Sequence, residues 1–463
     1  MNSRPPEIYE FGDFRLDVGE HRVERLTGPT TGSLQEKAYQ TLLTLVRNGG
    51  RLVTKEELMV AVWPDAVVEE NNLGKAIYSV RNFLGEAESG RKYIETVPKH
   101  GYRFVEEVRA ISGNGDKPRP GQTAERPFPV SSPAYDLYVR GKVKAGSENI
   151  EDTENAIKVL EAAVAIDPYF APAYAQLARA YNTRAFKFSA GQERKLLQEN
   201  AEVAVEKAVA LDPDLAEAHF ARGLILWTNT KGFPHEQAIR SYKRSLSLDP
   251  TSDEAHHQLS MVYSHTGLLD EAQREVALTL EINPNNTMAR FRVAVYREYQ
   301  GRFEEARTLL KSIPQEVSPL LVDRTTAEVL IQCGRTAEAE GLVEAHAARY
   351  PTDEGGSFTS LRAMLRAKAG EAAEAQRLIR EAAEIGREYG HFHHTAHNIA
   401  SAYAAMGRTG EALEWLENAA DNGFPNFTYF RVDPNLEALW GEPGFVRLMA
   451  RLEKLGERLC SAD

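Results

Sequence analysis

The feature that most constrains this chain is a spacing. Gly267 and Gly301, Ala272 and Ala306, and Pro250 and Pro284 stand 34 residues apart. Segments with one kind of ending recur: KVLEAAVAIDP (158–168), EKAVALDP (206–213), YKRSLSLDP (242–250) and VALTLEINP (276–284). Each reads as the end of an amphipathic helix stopped by proline, which lacks the N–H that another turn needs. A period of this length holds two helices and a turn. One such unit cannot bury its apolar face alone, so units must stack into an extended array.

Within residues 253–284, Ser260 and Ala272 fall where the two helices cross, and small side chains there let the axes approach. Together with Leu259, Tyr263, Gly267, Val276 and Pro284, this pattern resembles the tetratricopeptide repeat (TPR). The resemblance implies an α-solenoid whose concave groove takes a protein or peptide partner. About eight units are expected, near 135–168, 171–213, 216–250, 253–284, 287–316, 318–351, 354–388 and 393–424. The second carries extra residues around Thr183–Arg194. The tail, DPNLEALWGEPGFVRLMARLEKL (433–455), reads as two capping helices over the last unit's apolar face. Of the aromatic stripe Tyr174, Tyr181, Phe186 and Phe188, most is expected in the repeat core, with Phe186 and Phe188 able to line a surface.

Composition adds the frame. A chain of 463 residues, 42% hydrophobic and 26% charged, is expected to hold more than one domain. No run approaches the ~18 apolar residues of a membrane span, and MNSRPPEIYEF has no apolar signal segment. Cys333 and Cys460 stand alone, which leaves no disulfide framework or cysteine-rich zinc site and fits the cytoplasm. The stretch SGNGDKPRPGQTAERPFPVSSP (112–133) has little to bury and reads as a linker. The expected organisation is therefore a module at 7–108, a linker at 109–134, the repeat array at 135–432 and capping helices at 433–463.

The module begins with β-prone runs, EIYEFG, FRLDV and HRVERL, that suggest a small antiparallel sheet. A helix follows from Leu34, with Ala38, Leu42, Leu45 and Val46 on one face and Gly49-Gly50 after it. Thr54 and Glu57 have the spacing of a capping box for KEELMVAVW. The next helix, near 71–84, puts Leu73, Ala76, Ile77, Val80 and Leu84 on one side. Its other side carries Asn71, Lys75, Tyr78 and Asn82, flanked by Ser79 and Arg81, with no carboxylate before Glu86. In a chain of net charge −12, that gap fits a face that approaches phosphates. Last comes YIETVPKHGYRF (93–104), two short strands about a Pro-Lys-His-Gly turn.

Sheet, three helices and closing hairpin, in this order, resemble the OmpR-type winged-helix DNA-binding domain of bacterial transcription regulators. The most specific pieces are LVTKEELMVAVWPD, the N-x-L-x-x-x-I-x-x-V-R-x-x-L helix and IETVPKHGYRF. The fold class is thus mainly α: an N-terminal α+β winged helix-turn-helix, then the TPR solenoid. The resemblance implies that Asn71, Asn72, Lys75, Tyr78, Ser79 and Asn82 face bases or nearby phosphates of double-stranded DNA. It implies that Arg81 holds a backbone phosphate, and that Lys99, His100 and Arg103 serve the wing. Pro98 stands where some members carry a wing arginine. Carboxylates slightly outnumber lysines and arginines in the module, so modest affinity per module and dimeric or tandem binding are expected. With the module starting near residue 7, no phosphoacceptor receiver ahead of it is expected. A regulator is the main reading; the alternative is a TPR scaffold whose winged helix contacts protein.

Catalysis, a cofactor or a resident metal is not expected. No phosphate-binding glycine loop or nucleophile–base motif occurs, and pairs such as Glu304-Glu305 belong on solvent faces. In HFHHTAH (391–397), His394 and His397 are helical i,i+3 neighbours that would face the groove, but no carboxylate or cysteine completes a ligand set.

Overall fold

The computed structural model describes residues 8–18, 21–26, 34–63, 70–86, 90–97, 101–111, 133–147, 149–189, 191–314, 318–387 and 389–461. The chain divides into two compact units, residues 1–132 and 133–463. Residues 112–132, within the expected linker, lie outside the described residues.

In the first unit, strands β1 (Ile8–Phe11), β2 (Phe14–Asp17), β3 (Arg22–Arg25) and β7 (Val108–Ile111) form an antiparallel sheet in the order β3-β2-β1-β7. The return of β7 to pair Ile111 with Ile8 carries the module three residues beyond the expected boundary at 108. Helix α1 (Glu36–Arg47) follows the sheet, then β4 (Leu52–Thr54), α2 (Lys55–Val62) and α3 (Glu70–Phe83). A second sheet has the order β4-β6-β5, with β5 at Ile94–Val97 and β6 at Gly101–Phe104. The capping box forms as the spacing predicts: the Glu57 amide donates to Thr54 Oγ1 at 3.1 Å and the Thr54 amide to Glu57 Oε2 at 2.8 Å. Phe11, Leu42, Leu73, Val80 and Phe104 meet in one core, with the Phe11 and Phe104 rings edge to face at 5.0 Å.

The second unit holds eight helix pairs among its described residues. They are α4 (Pro133–Lys144) with α5 (Ile150–Ile166), α6 (Ala171–Phe188) with α7 (Gly191–Leu211), α8 (Ala216–Leu226) with α9 (His235–Leu248), and α10 (Asp253–His265) with α11 (Leu269–Ile282). Then come α12 (Thr287–Tyr299) with α13 (Phe303–Leu310), α14 (Pro319–Gln332) with α15 (Thr336–Arg349), α16 (Ser357–Lys368) with α17 (Ala372–Gly386), and α18 (Phe392–Ala405) with α19 (Thr409–Asp421). Helices α5, α7, α9 and α11 each end two residues before the proline of the repeated motif. Ser260 and Ala272 are fully buried, as the crossing requires. Ser260 also accepts a hydrogen bond from the Tyr296 hydroxyl of the next pair at 2.9 Å.

The tail departs from the expected pair of caps. Residues Pro434–Leu439 form a 3₁₀ turn, and a single long helix, α21 (Pro443–Cys460), follows. Before them, the segment from Asn422, including the short helix α20 (Phe427–Phe430), folds back across earlier repeats. Asn426 Nδ2 donates to Ser264 O at 2.9 Å, and Tyr429 Oη donates to Glu298 Oε1 at 3.1 Å. Gln332 Nε2 donates to Tyr429 Oη at 2.6 Å. Ser264, Glu298 and Gln332 occupy one position in three successive repeats, 34 residues apart each time. The tail therefore reads the repeat as a ladder. Two glycines make room for it: Gly267 and Gly301, both in the left-handed region at φ +78° and +76°, abut Phe427 and Val432. Helix α21 also reaches back to α9, with Arg458 Nε 3.9 Å from Glu236 Oε2, and to α11, with Cys460 Sγ 3.6 Å from Glu271 Oε1.

Glu298 is 1% exposed in this joint. Burial, with Glu328 and Asp433 close by, raises its carboxyl well above the ordinary 4.5. A raised folded value means that the folded chain resists losing the proton. No penalty exists below about pH 4.5, and stability is lost as pH rises toward the folded pKa. Glu298→Gln keeps the acceptor for Tyr429 and removes the ionisation. It is expected to raise the melting temperature of the array at pH 8 by roughly 2–4 °C, with the gain vanishing near pH 4, as calorimetry at the two pH values would read.

Candidate nucleic-acid interface

Helix α3 is fixed by its apolar stripe: Leu73, Ile77, Val80 and Leu84 are each 2% exposed or less. That burial leaves the other side outward. Asn82 is exposed there, while Asn72, Lys75, Tyr78 and Ser79 are half-buried around it. Lys75, Tyr78 and Asn82 thus share one surface flanked by Ser79, as the periodicity predicts, and Asn72 lies at its edge. The side chain of Asn71, and residues Pro98, Lys99 and His100, lie outside the described residues.

Arg81 has partners within the module. Its Nη2 donates to Ile94 O at 3.0 Å and Thr96 Oγ1 at 2.8 Å, and its Nε lies 3.4 Å from Glu86 Oε2. The guanidinium, on a side chain 32% exposed, ties α3 to the first hairpin strand. Glu86 completes the joint, because its Oε1 accepts from the amides of Tyr93 and Ile94, both at 2.7 Å. Sequence reading missed Glu86, since a carboxylate just past a helix end has no local signature of its partners.

The hairpin itself is built on register. Glu95 pairs with Arg103 across β5 and β6, and Arg103 Nη1 donates to Glu95 Oε2 at 3.1 Å. Both side chains are near half exposure, so the pair contributes only about 0–1 kcal/mol and can exchange for a phosphate. Phe104 is buried and Tyr102 half-buried on the same side of β6. Gly101 is required for space: a Cβ there would sit 2.1 Å from Val53 O of β4.

The histidine run is split by the fold. His397 Nε2 lies 3.2 Å from Asp433 Oδ2 in the tail, whereas His394 sits against His265 and His393. The two therefore do not act as one i,i+3 pair. Phe186 leaves the repeat core and packs edge-on against His391, 5.2 Å between centroids. The longer α6 thus reaches the eighth helix pair.

Residues 30–104 match the family model described as "Transcriptional regulatory protein, C terminal". Tetratricopeptide repeat models match residues 235–294, 356–381 and 393–421. The chain joins a transcriptional-regulator domain to tetratricopeptide repeats. It is 36% identical over 120 residues to Transcriptional regulator HilA of Salmonella typhi, which covers 26% of this chain and 21% of that protein. It is 32% identical over 101 residues to Transcriptional regulatory protein TcrA of Mycobacterium tuberculosis, covering 22% and 39%. The match thus spans about a fifth to two-fifths of these relatives' lengths. A tetratricopeptide repeat protein from Parabacteroides merdae aligns at 16% identity and TM-score 0.41, over 60% of this chain and 99% of that one. No helix of the described residues is long and apolar enough to cross a membrane.

Arg81→Met removes the link between α3 and β5. It is expected to destabilise the first unit by about 1–3 kcal/mol, seen as faster amide hydrogen exchange across Ile94–Phe104. Gly101→Ala forces β6 off β4 at a cost of about 1–3 kcal/mol, with the same readout.

Proposed function

We propose that this chain is a cytoplasmic, sequence-specific DNA-binding transcriptional regulator whose repeat array binds a protein partner or signal. The observation that carries the reading is the α3 surface. Between Asn71 and Glu86 it offers amide, ammonium and hydroxyl groups with no carboxylate, held by a buried apolar stripe and flanked by a hairpin. Such side chains hydrogen-bond base edges in a major groove and phosphate oxygens beside it. The likeness of residues 30–104 to a transcriptional-regulator domain supports the same reading.

In this reading α3 enters the major groove, with Asn71, Asn72, Lys75, Tyr78, Ser79 and Asn82 at bases or adjacent phosphates. Lys99, His100 and Arg103 serve the neighbouring minor groove. Arg81 positions the hairpin, and its partly exposed guanidinium holds a backbone phosphate. The excess of carboxylates over lysines and arginines in the module keeps non-specific affinity low, so two copies or tandem sites supply tight binding. The role assigned is binding, not catalysis. The tail laid across Ser264, Glu298 and Gln332 already covers part of the repeat surface, so the partner engages the array outside that strip or displaces it.

Genome-wide capture supplies the operator, and mobility shifts on it at graded salt test the residue roles. Lys75→Ala, Lys99→Ala and Arg103→Ala are each expected to weaken binding and flatten the salt slope by about 1. Absence of enriched sites in the capture, or slopes unmoved by all three substitutions, overturns the reading in favour of a protein-contacting winged helix.

A further inference from the structure

His265 ends α10 and His393 and His394 begin α18, so the fourth and eighth helix pairs bring three imidazoles together. One nitrogen from each ring lies within 4.8 Å of the other two. Two of the rings are held in a defined state. His265 Nδ1 is 2.9 Å from Met261 O, and His393 Nδ1 is 2.9 Å from Asn422 O. A carbonyl only accepts, so Nδ1 carries the proton in both and Nε2 is left as a lone pair. Both Nε2 atoms are buried and have no partner among the described residues.

Unpaired buried acceptors are costly, and here two of them converge with a third ring among Trp227, Phe233 and Phe424. A divalent metal satisfies all of them at once. An Nδ1–H donated to a backbone carbonyl is also the outer-shell arrangement that orients metal-bound histidines. Burial holds all three rings well below the usual histidine range, so they stay neutral and keep their lone pairs.

We propose that His265, His393 and His394 form a binding site for a divalent transition metal of the zinc class. Imidazole donors without thiolate suit zinc, copper or nickel and not magnesium or calcium. Tetrahedral binding at about 2.0–2.1 Å per nitrogen brings the three atoms to roughly 3.3 Å apart, a closure of about 1.5 Å at most. Three protein ligands leave a fourth position open. The nearby Arg292 guanidinium, which acts on His265 and whose Nε has no partner among the described residues, favours an anion such as hydroxide there. Because the ligands come from the fourth and eighth pairs, the metal is a staple across the array.

The test is cobalt(II) titration of the metal-stripped full chain, followed by visible absorption. The expected result is one equivalent with the intense bands of a tetrahedral site, displaced by zinc(II), and a zinc-dependent rise in melting temperature. His265→Gln and His393→Gln are each expected to weaken binding roughly 100-fold or more, beyond the loss of an outer-shell partner; His397→Gln is expected to retain it. Absence of tetrahedral bands at saturating cobalt overturns the proposal, as does binding unchanged in both ligand variants. Should those variants fold poorly, X-ray absorption of the zinc-loaded wild-type chain decides. Three imidazole ligands are expected, and fewer than three overturn the site.

Discussion

The array depends on one segment laid across the repeats. Nearest-neighbour packing alone would give a stack whose pairs gain stability only from the pairs beside them. Asn426 and Tyr429 break that rule by bonding to Ser264 and Glu298, while Gln332 reaches back to Tyr429. The sequence distance is large, yet loop-closure entropy grows only with the logarithm of length, so the long return costs little more than a short one. The contacts then couple pairs four, five and six to the last pair. The second unit is expected to behave less like a chain of independent repeats and more like a single cooperative body.

The first unit solves a different problem with the same economy of parts. A helix that must present polar groups outward needs a strong apolar anchor inward. Leu73, Ile77, Val80 and Leu84 supply it. Orientation relative to the hairpin is a separate requirement, met by the Arg81–Glu86 joint on the backbone of Tyr93 and Ile94. A cation that projects to the flank of the helix is thus also part of the frame.

What was legible in the sequence was local or periodic. The 34-residue period marked the helix pairs, the Thr54–Glu57 spacing gave a capping box, and the α3 stripe was right residue by residue. What was illegible depended on residues far apart in the chain. Val108–Ile111 reads as an undistinguished run until β1 is there to pair with it. Arg81 projects to the flank of a helix, and its partners on β5 have no signature in the neighbouring sequence. His265 sits outside the 391–397 run and no spacing rule connects them, so the cluster looked incomplete when its missing member stood on another repeat. The tail's apolar residues announced a cap but not the surface they would cover.

The ladder at Ser264, Glu298 and Gln332 has an evolutionary consequence. Open repeat proteins change length readily, because a duplicated unit only adds one more interface of the same kind. In this array the tail matches three consecutive repeats and the long α6 meets the eighth pair through Phe186 and His391. An extra repeat, or a missing one, between those points would shift every rung against the tail and pull the two ends out of reach. The number of repeats is therefore itself a folded property of this chain, and variation among its homologues should fall in loops and surface residues before it falls in repeat count.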